Sequence, residues 1–191
     1  MIRKFLSKKL YQWFGIETRI KTGHFSRIRK WIVNGQYHRI DGPAIEWVCS
    51  KVWYHHDKRH REEGPAIEFW NGNKEWYRHG LKHREDGPAV ESYFTKEWWI
   101  DGQRHREDGP AIESSDGFHK EWWFNGKLHR EGGPAIDWAD GHKEWWIEGK
   151  RHRENGPAQE WNDGSKFWLD GIPYIDEVTH MMAVFKRNQD N

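Results

Sequence analysis

Six His-Arg pairs are the residues of this 191-residue chain best equipped for chemistry: His38-Arg39, His60-Arg61, His83-Arg84, His105-Arg106, His129-Arg130 and His152-Arg153. An imidazole beside a guanidinium can hold a phosphate, nucleotide or carboxylate, since Arg presents a planar fork of donors. His105, Arg106, His129, Arg130, His152 and Arg153 are the candidate residues for such an anion ladder. The competing reading is structural. Acids stand beside the pairs, such as Glu107, Glu131 and Glu154, and a feature present in every copy suits packing between units. We favour the structural reading. As metal ligands the successive His would stand two strands apart, about 10 Å, whereas zinc needs bonds of about 2 Å to one point. No metal site is therefore expected. An active site is a unique constellation with shifted pKa values. Here every candidate recurs in the same setting, so no catalytic residue, no cofactor and no enzymatic activity are expected.

The aromatics form two columns. Trp31, Trp53, Trp76, Trp98, Trp122, Trp145 and Trp168 open successive copies, and a position that is always Trp is expected to be core. The next position reads Ile32, Tyr54, Tyr77, Trp99, Trp123, Trp146 and Leu169. Strand side chains alternate between faces, so this second column points the other way. Tyr77, Trp99, Trp123 and Trp146 are the candidate partner-binding strip, because Trp and Tyr are common interface anchors. The alternative is a curved sheet that buries both faces.

Both sets of residues belong to one repeat of about 23 residues, and such a period points to a stacked array. From opening Trp to the Gly of Gly-Pro-Ala is eleven residues in every copy, and from that Gly to an acid is four. All length variation lies after the acid: Glu68 to Lys74 is six residues and Glu113 to Lys120 is seven. The fixed stretch is a rigid unit and the variable stretch an exposed turn. Asn34-Gly35, Asp101-Gly102, Asn125-Gly126 and Glu148-Gly149 read as two-residue hairpin turns, where Gly and Asn accept positive φ. A second strand is expected to run on through His-Arg, bend at Gly-Pro and resume at Ala-Ile-Glu-Trp. Each copy thus supplies one short strand and one long, bent strand.

The array must be positioned by its ends. Residues 1–30 are expected to form an N-terminal cap. In it, residues 1–15 read as a basic amphipathic helix (Ile2, Phe5, Leu6, Leu10, Trp13, Phe14), and residues 16–30 as a degenerate half-repeat turning at Thr22-Gly23. Residues 31–174 carry the six-repeat β array. Residues 175–191 are expected to form a capping helix and tail, with Ile175, Val178, Met182 and Phe185 on one face. The fold class is therefore all-β: an elongated antiparallel β-sheet array with short helical caps at both ends.

Composition narrows the function. Thirty-one basic residues against 30 acidic give a net charge of +1, which disfavours a nucleic-acid partner held through phosphates. Cys49 is the only cysteine, so no intrachain disulfide is possible and a reducing, cytoplasmic setting is expected. No apolar run approaches a membrane span, and none at the N-terminus has signal-peptide character. Fifteen Trp offset the low apolar content, because large aromatics bury much area each.

The run Trp146-Ile147-Glu148-Gly149-Lys150-Arg151-His152, followed later by an Asp-Gly turn, resembles the membrane occupation and recognition nexus repeat (MORN). The resemblance covers residues 31–168. It departs after the His, where this chain has Arg and then Gly-Pro-Ala. That variant is similar to repeat proteins of bacteriophages and large viruses. The resemblance implies a β-hairpin array that acts as a scaffold or binding protein, with neutralisation of a host factor as one use. Three expectations follow: a non-enzymatic protein that engages a protein partner along its repeats; a protein that sequesters nucleotides or small anions on its Arg and Trp rows; or a scaffold that meets a membrane through residues 1–15.

Overall fold

A computed structural model of the protein describes residues 20–22, 26–162 and 164–190. The expected helix over residues 1–15 lies outside them. The described residues are mostly β, in antiparallel hairpins, with one helix among them at Glu177–Asp190. Residues through Tyr93 belong to one compact unit and those from Phe94 to a second.

In the first unit the sheet strands run in the order Ile20–Thr22, Ser26–Lys30, Ile45–Trp47, Ser50–Val52, Ile67–Phe69, Lys74–Glu75 and Val90–Glu91. The first two pair as a hairpin, Ile20 facing Ile28 and Thr22 facing Ser26, as a half-repeat requires. In the second unit the order is Thr95–Glu97, Ile112–Ser114, His119–Glu121, Ile136–Trp138, Lys143–Glu144, Gln159–Trp161, Gly164–Leu169 and Ile172–Tyr174.

The register explains why acid and Lys hold their places. Glu46 faces Lys51, which faces Glu68, which faces Lys74, which faces Glu91. In the second unit Lys96, Glu113, Lys120, Asp137, Lys143 and Glu160 alternate likewise. Opposite charges directly across a pair stabilise by a few tenths of a kcal/mol to about 1 kcal/mol, and like charges would oppose pairing. The residues one step along carry the apolar ladder, Ile45 facing Val52 and Val52 facing Ile67.

Each copy also makes a separate two-stranded hairpin, such as Trp123–Phe124 with Lys127–Leu128. So the structure corrects the expected pair of strands per copy: there are four short ones. The Lys-Glu-Trp-Trp-Ile run is interrupted at its first Trp, and His-Arg-x-x-Gly-Pro lies outside any strand. The physical reason is a change of hydrogen-bond partner. Trp122 N–H donates to the Ala135 carbonyl at 2.8 Å, while its own carbonyl accepts from His129 N–H. The hairpin turns are as expected: Asn34, Asp101, Asn125 and Glu148 have φ of 47–51°, and the following Gly 75–79°.

The core also differs from expectation. Among the described residues the buried apolar positions are the alanines of Gly-Pro-Ala, Ala44, Ala66, Ala89, Ala111, Ala135 and Ala158, joined by Ile67, Tyr77, Val90, Ile112 and Leu169. The opening tryptophans are only half-buried. Each of these Ala carbonyls accepts the N–H of its own copy's opening Trp at 2.8–2.9 Å.

The C-terminal helix begins at an Asp176 cap, whose carboxylate accepts from Thr179 N–H at 2.8 Å. The sequence periodicity places its apolar stripe inward. The structure reverses this: Val178, Met181, Met182 and Phe185 are exposed, and His180 is buried against Phe167 and Tyr174. Arg187, on the His180 side, meets Glu154 and Asp170 at 3.3 Å each. The imidazole and these ion pairs share their helix face with Ala183 and Val184, which are half-buried.

Candidate functional site

The six Arg of the His-Arg pairs share one environment. Each guanidinium lies flat over the opening Trp of its own copy, at 4.0 Å for Arg39 on Trp31 and 3.7 Å for Arg153 on Trp145. On its other side stands the Gly of Gly-Pro-Ala. A Cβ on Gly42 would come within 2.8 Å of Arg39 Cζ, and one on Gly109 within 3.0 Å of Arg106 Cζ. The Gly therefore makes room for a clamped cation. Nη1 donates to the Pro carbonyl two residues before the acid-bearing strand, as Arg106 does to Pro110 at 3.2 Å. In three copies it also reaches the acid: Arg61 to Glu68 and Arg84 to Glu91 at 2.7 Å, and Arg153 to Glu160. Where Asp follows two residues after Arg, Nε donates to it, and the hydrogen bond from Arg holds Asp41, Asp86 and Asp108 below the usual carboxylate range. Arg106 and Arg130 line a shallow groove with His129, Trp122, Phe124 and Glu131; Arg106 donates internally to Asp108 and Pro110, and Arg130 to Pro134.

The histidines join copies. Nδ1 accepts the backbone N–H of the next turn: His105 from Asn125, His129 from Glu148 and His152 from Asp170, each at 3.2 Å. That N–H belongs to a residue with positive φ, which points it outward. At His129 and His152 the same nitrogen also meets the turn residue's carboxylate, Glu148 at 3.1 Å and Asp170 at 2.9 Å; where Nδ1 accepts, as in His60 from His79 N–H at 3.1 Å, a neutral ring carries its proton on Nε2. There His60 meets Glu62 at 2.9 Å and His83 meets Glu85 at 3.3 Å.

The second aromatic column is anchored rather than free. Trp99, Trp123 and Trp146 are half-buried. Their indole N–H groups donate to Glu97, Glu121 and Glu144 at 2.9, 2.6 and 2.8 Å. Arg104 lies over both Trp99 and Trp123, and Arg151 over Trp146. Tyr77 is buried, donates to Glu75 and accepts from Arg59. Burial and the Glu75 hydrogen bond push its pKa up to about 12. Glu144 is buried, which raises its pKa, but donors from Trp146, Arg151 and Gln159 outweigh that and hold it low.

The most exposed aromatics among the described residues are elsewhere. Trp70 is 81% exposed, Tyr93 79% and Phe94 74%. Trp47, Val48 and Phe118 are also exposed. All lie in the variable stretches after the acid, Trp47 at the end of its strand and the others beyond theirs. The turns stack in register through backbone bonds, Trp70 N–H to Cys49 and Ala139 N–H to Phe118. Phe118 meets Trp138 edge-on at 5.9 Å. Sequence reasoning passed over these residues because they lie outside the fixed stretch; the signal was that turns able to take any polar residue carry Trp, Tyr and Phe.

A second overlooked group is a cluster of imidazoles. His38 of the first copy meets His55 and His56 of the second, with ring centroids 4.7 and 4.3 Å away. One ligand atom from each of the three lies within 4.8 Å of the others. The regular His column cannot converge on one ion, but this cluster draws two of its three rings from a hairpin turn outside that column. No helix among the described residues is long and apolar enough to cross a membrane. Searches against models of known protein families and against curated proteins find no match to this chain.

Proposed function

We propose that this chain is a non-enzymatic, MORN-like repeat protein that binds a protein partner along its repeat surface. The observation that carries the reading is the set of large aromatics exposed in the variable turns: Trp47 and Trp70 in the first unit, Phe94 and Phe118 in the second. Soluble surfaces rarely place aromatics in register without using them, and Trp and Tyr dominate interface energetics. The backbone rungs between turns hold them at fixed spacing, which lowers the ordering cost of binding. The clamped state of the Arg side chains supports this reading over small-anion sequestration.

The test is capture of a defined partner by purified protein. Wild-type protein should retain it, and a Trp47→Ser/Trp70→Ser variant with an unchanged unfolding midpoint should lose at least tenfold in affinity. Undiminished binding by that variant would refute the turn aromatics. A melting shift with nucleotides but no protein partner would favour sequestration instead.

A further inference from the structure

We infer that His38, His55 and His56 form a binding site for one divalent transition-metal ion of the zinc class. The hairpin turn of the second copy is the only one with two adjacent histidines, Tyr54-His55-His56-Asp57. Stacking of copies carries that turn onto His38, so the three imidazoles come from two different copies. Their ligand atoms lie within 4.8 Å of one another. Four-coordinate zinc at about 2.0–2.1 Å from each nitrogen spaces its ligands about 3.4 Å apart. Rotation of the exposed His55 and His56 side chains closes that gap without moving the backbone.

The surroundings favour coordination at two of the three rings. Nδ1 of His56 lies 3.2 Å from Gln36 Oε1, an oxygen that can only accept. The proton is thus fixed on Nδ1 and the Nε2 lone pair is free. This is the usual arrangement at metal sites, where a second group orients the ligating imidazole. No ring nitrogen of His55 makes a hydrogen bond among the described residues. His38 is the adaptable member: its Nδ1 accepts from His56 N–H at 3.3 Å, a weak bond that coordination would replace. Asp57 is already engaged, its carboxylate accepting from Tyr37 N–H at 2.6 Å. Three imidazoles therefore leave one position for water. Three nitrogen ligands suit Zn²⁺, Cu²⁺ or Ni²⁺ and not Mg²⁺ or Ca²⁺. The ion would bind the first copy to the second and raise stability with concentration.

The experiment uses the full chain without an affinity tag, treated with chelator and titrated calorimetrically with ZnCl₂, with MgCl₂ in parallel. One equivalent of zinc should bind, the thermal midpoint should rise, and magnesium should do neither. His56→Asn keeps the turn, because Asn accepts the positive φ of this position (50°). It should weaken zinc binding at least tenfold, and His55→Thr/His56→Asn should abolish it. His79→Asn changes the equivalent turn of the third copy and should bind zinc like wild type. Failure of the wild type to take up zinc, full uptake by the double variant, or equal loss in His79→Asn would each overturn the assignment.

Discussion

The guanidinium of Arg106 lies 3.9 Å above the ring of Trp98, held there by Gly109 on its other side. Trp98 and Gly109 open and close the eleven-residue stretch that never changes length, so this sandwich accounts for its constancy. A cation on an indole face contributes about 0.5–2 kcal/mol, and desolvation between ring and backbone places this one toward the upper part of that range.

Gly109→Ala should therefore act through Arg106. The added Cβ would stand 3.0 Å from Cζ, and overpacking of this kind costs about 1–3 kcal/mol. In an Arg106→Ala background the penalty should shrink toward zero. Denaturant midpoints of the four proteins of the cycle decide it. An undiminished penalty would mean that Gly109 serves the backbone instead.

Trp99→Phe, Trp123→Phe and Trp146→Phe keep a ring in place but remove three indole donors from Glu97, Glu121 and Glu144. Each bond to a carboxylate is worth about 1.5–3 kcal/mol. The triple variant should unfold at clearly lower denaturant than wild type, with protein binding through the variable turns retained. If stability is unchanged and binding falls, these rings are a contact strip and not a structural column.

Much of the architecture was legible because the repeat repeats its physics. The paired turns follow from Asn-Gly and Asp-Gly, where positive φ leaves few alternatives. The six-fold recurrence of His and Arg pointed to structure, and both proved to be engaged within and between copies. Three things were not legible. The break at Trp122 comes from an N–H that leaves the sheet for Ala135, a tertiary choice that strand propensity does not encode. The buried column is Ala, which composition ranks below Trp. Gly117, in a variable turn, has φ of +74° with open space around it; a side chain there meets backbone strain rather than a clash, so only Asn or Asp is well accommodated. At the site, the His38, His55 and His56 cluster depends on how one copy stacks on the next, which no single copy reveals.

Tyr77 gives an alkaline signature. Its pKa is raised from 10.0 to about 12, so the unfolded chain loses this proton first as pH rises. The stabilisation is full below pH 10 and is lost between 10 and 12. Ultraviolet titration should show one of the six tyrosines ionising near 12. Tyr77→Phe should remove that step and flatten the fall in stability over the same window. A titration with all tyrosines near 10 would contradict the Glu75–Tyr77–Arg59 arrangement.

The C-terminal helix provides the sharpest contrast between sequence pattern and structure. Val178, Met181, Met182 and Phe185 recur at helical spacing, the pattern of an inward stripe. All four are more than half exposed, while His180 is buried between Phe167 and Tyr174. Met182→Glu/Phe185→Glu should therefore change stability by no more than about 0.5 kcal/mol, as exposed substitutions do. His180→Ala should cost well over 1 kcal/mol, because it opens a cavity under the helix. Arg187→Ala should cost less, since its pairs with Glu154 and Asp170 are partly exposed and such pairs contribute about 0–1 kcal/mol. Unfolding midpoints order the three variants. If the Met182→Glu/Phe185→Glu protein is the least stable, the stripe packs inward after all, and the helix docks by apolar area rather than through His180.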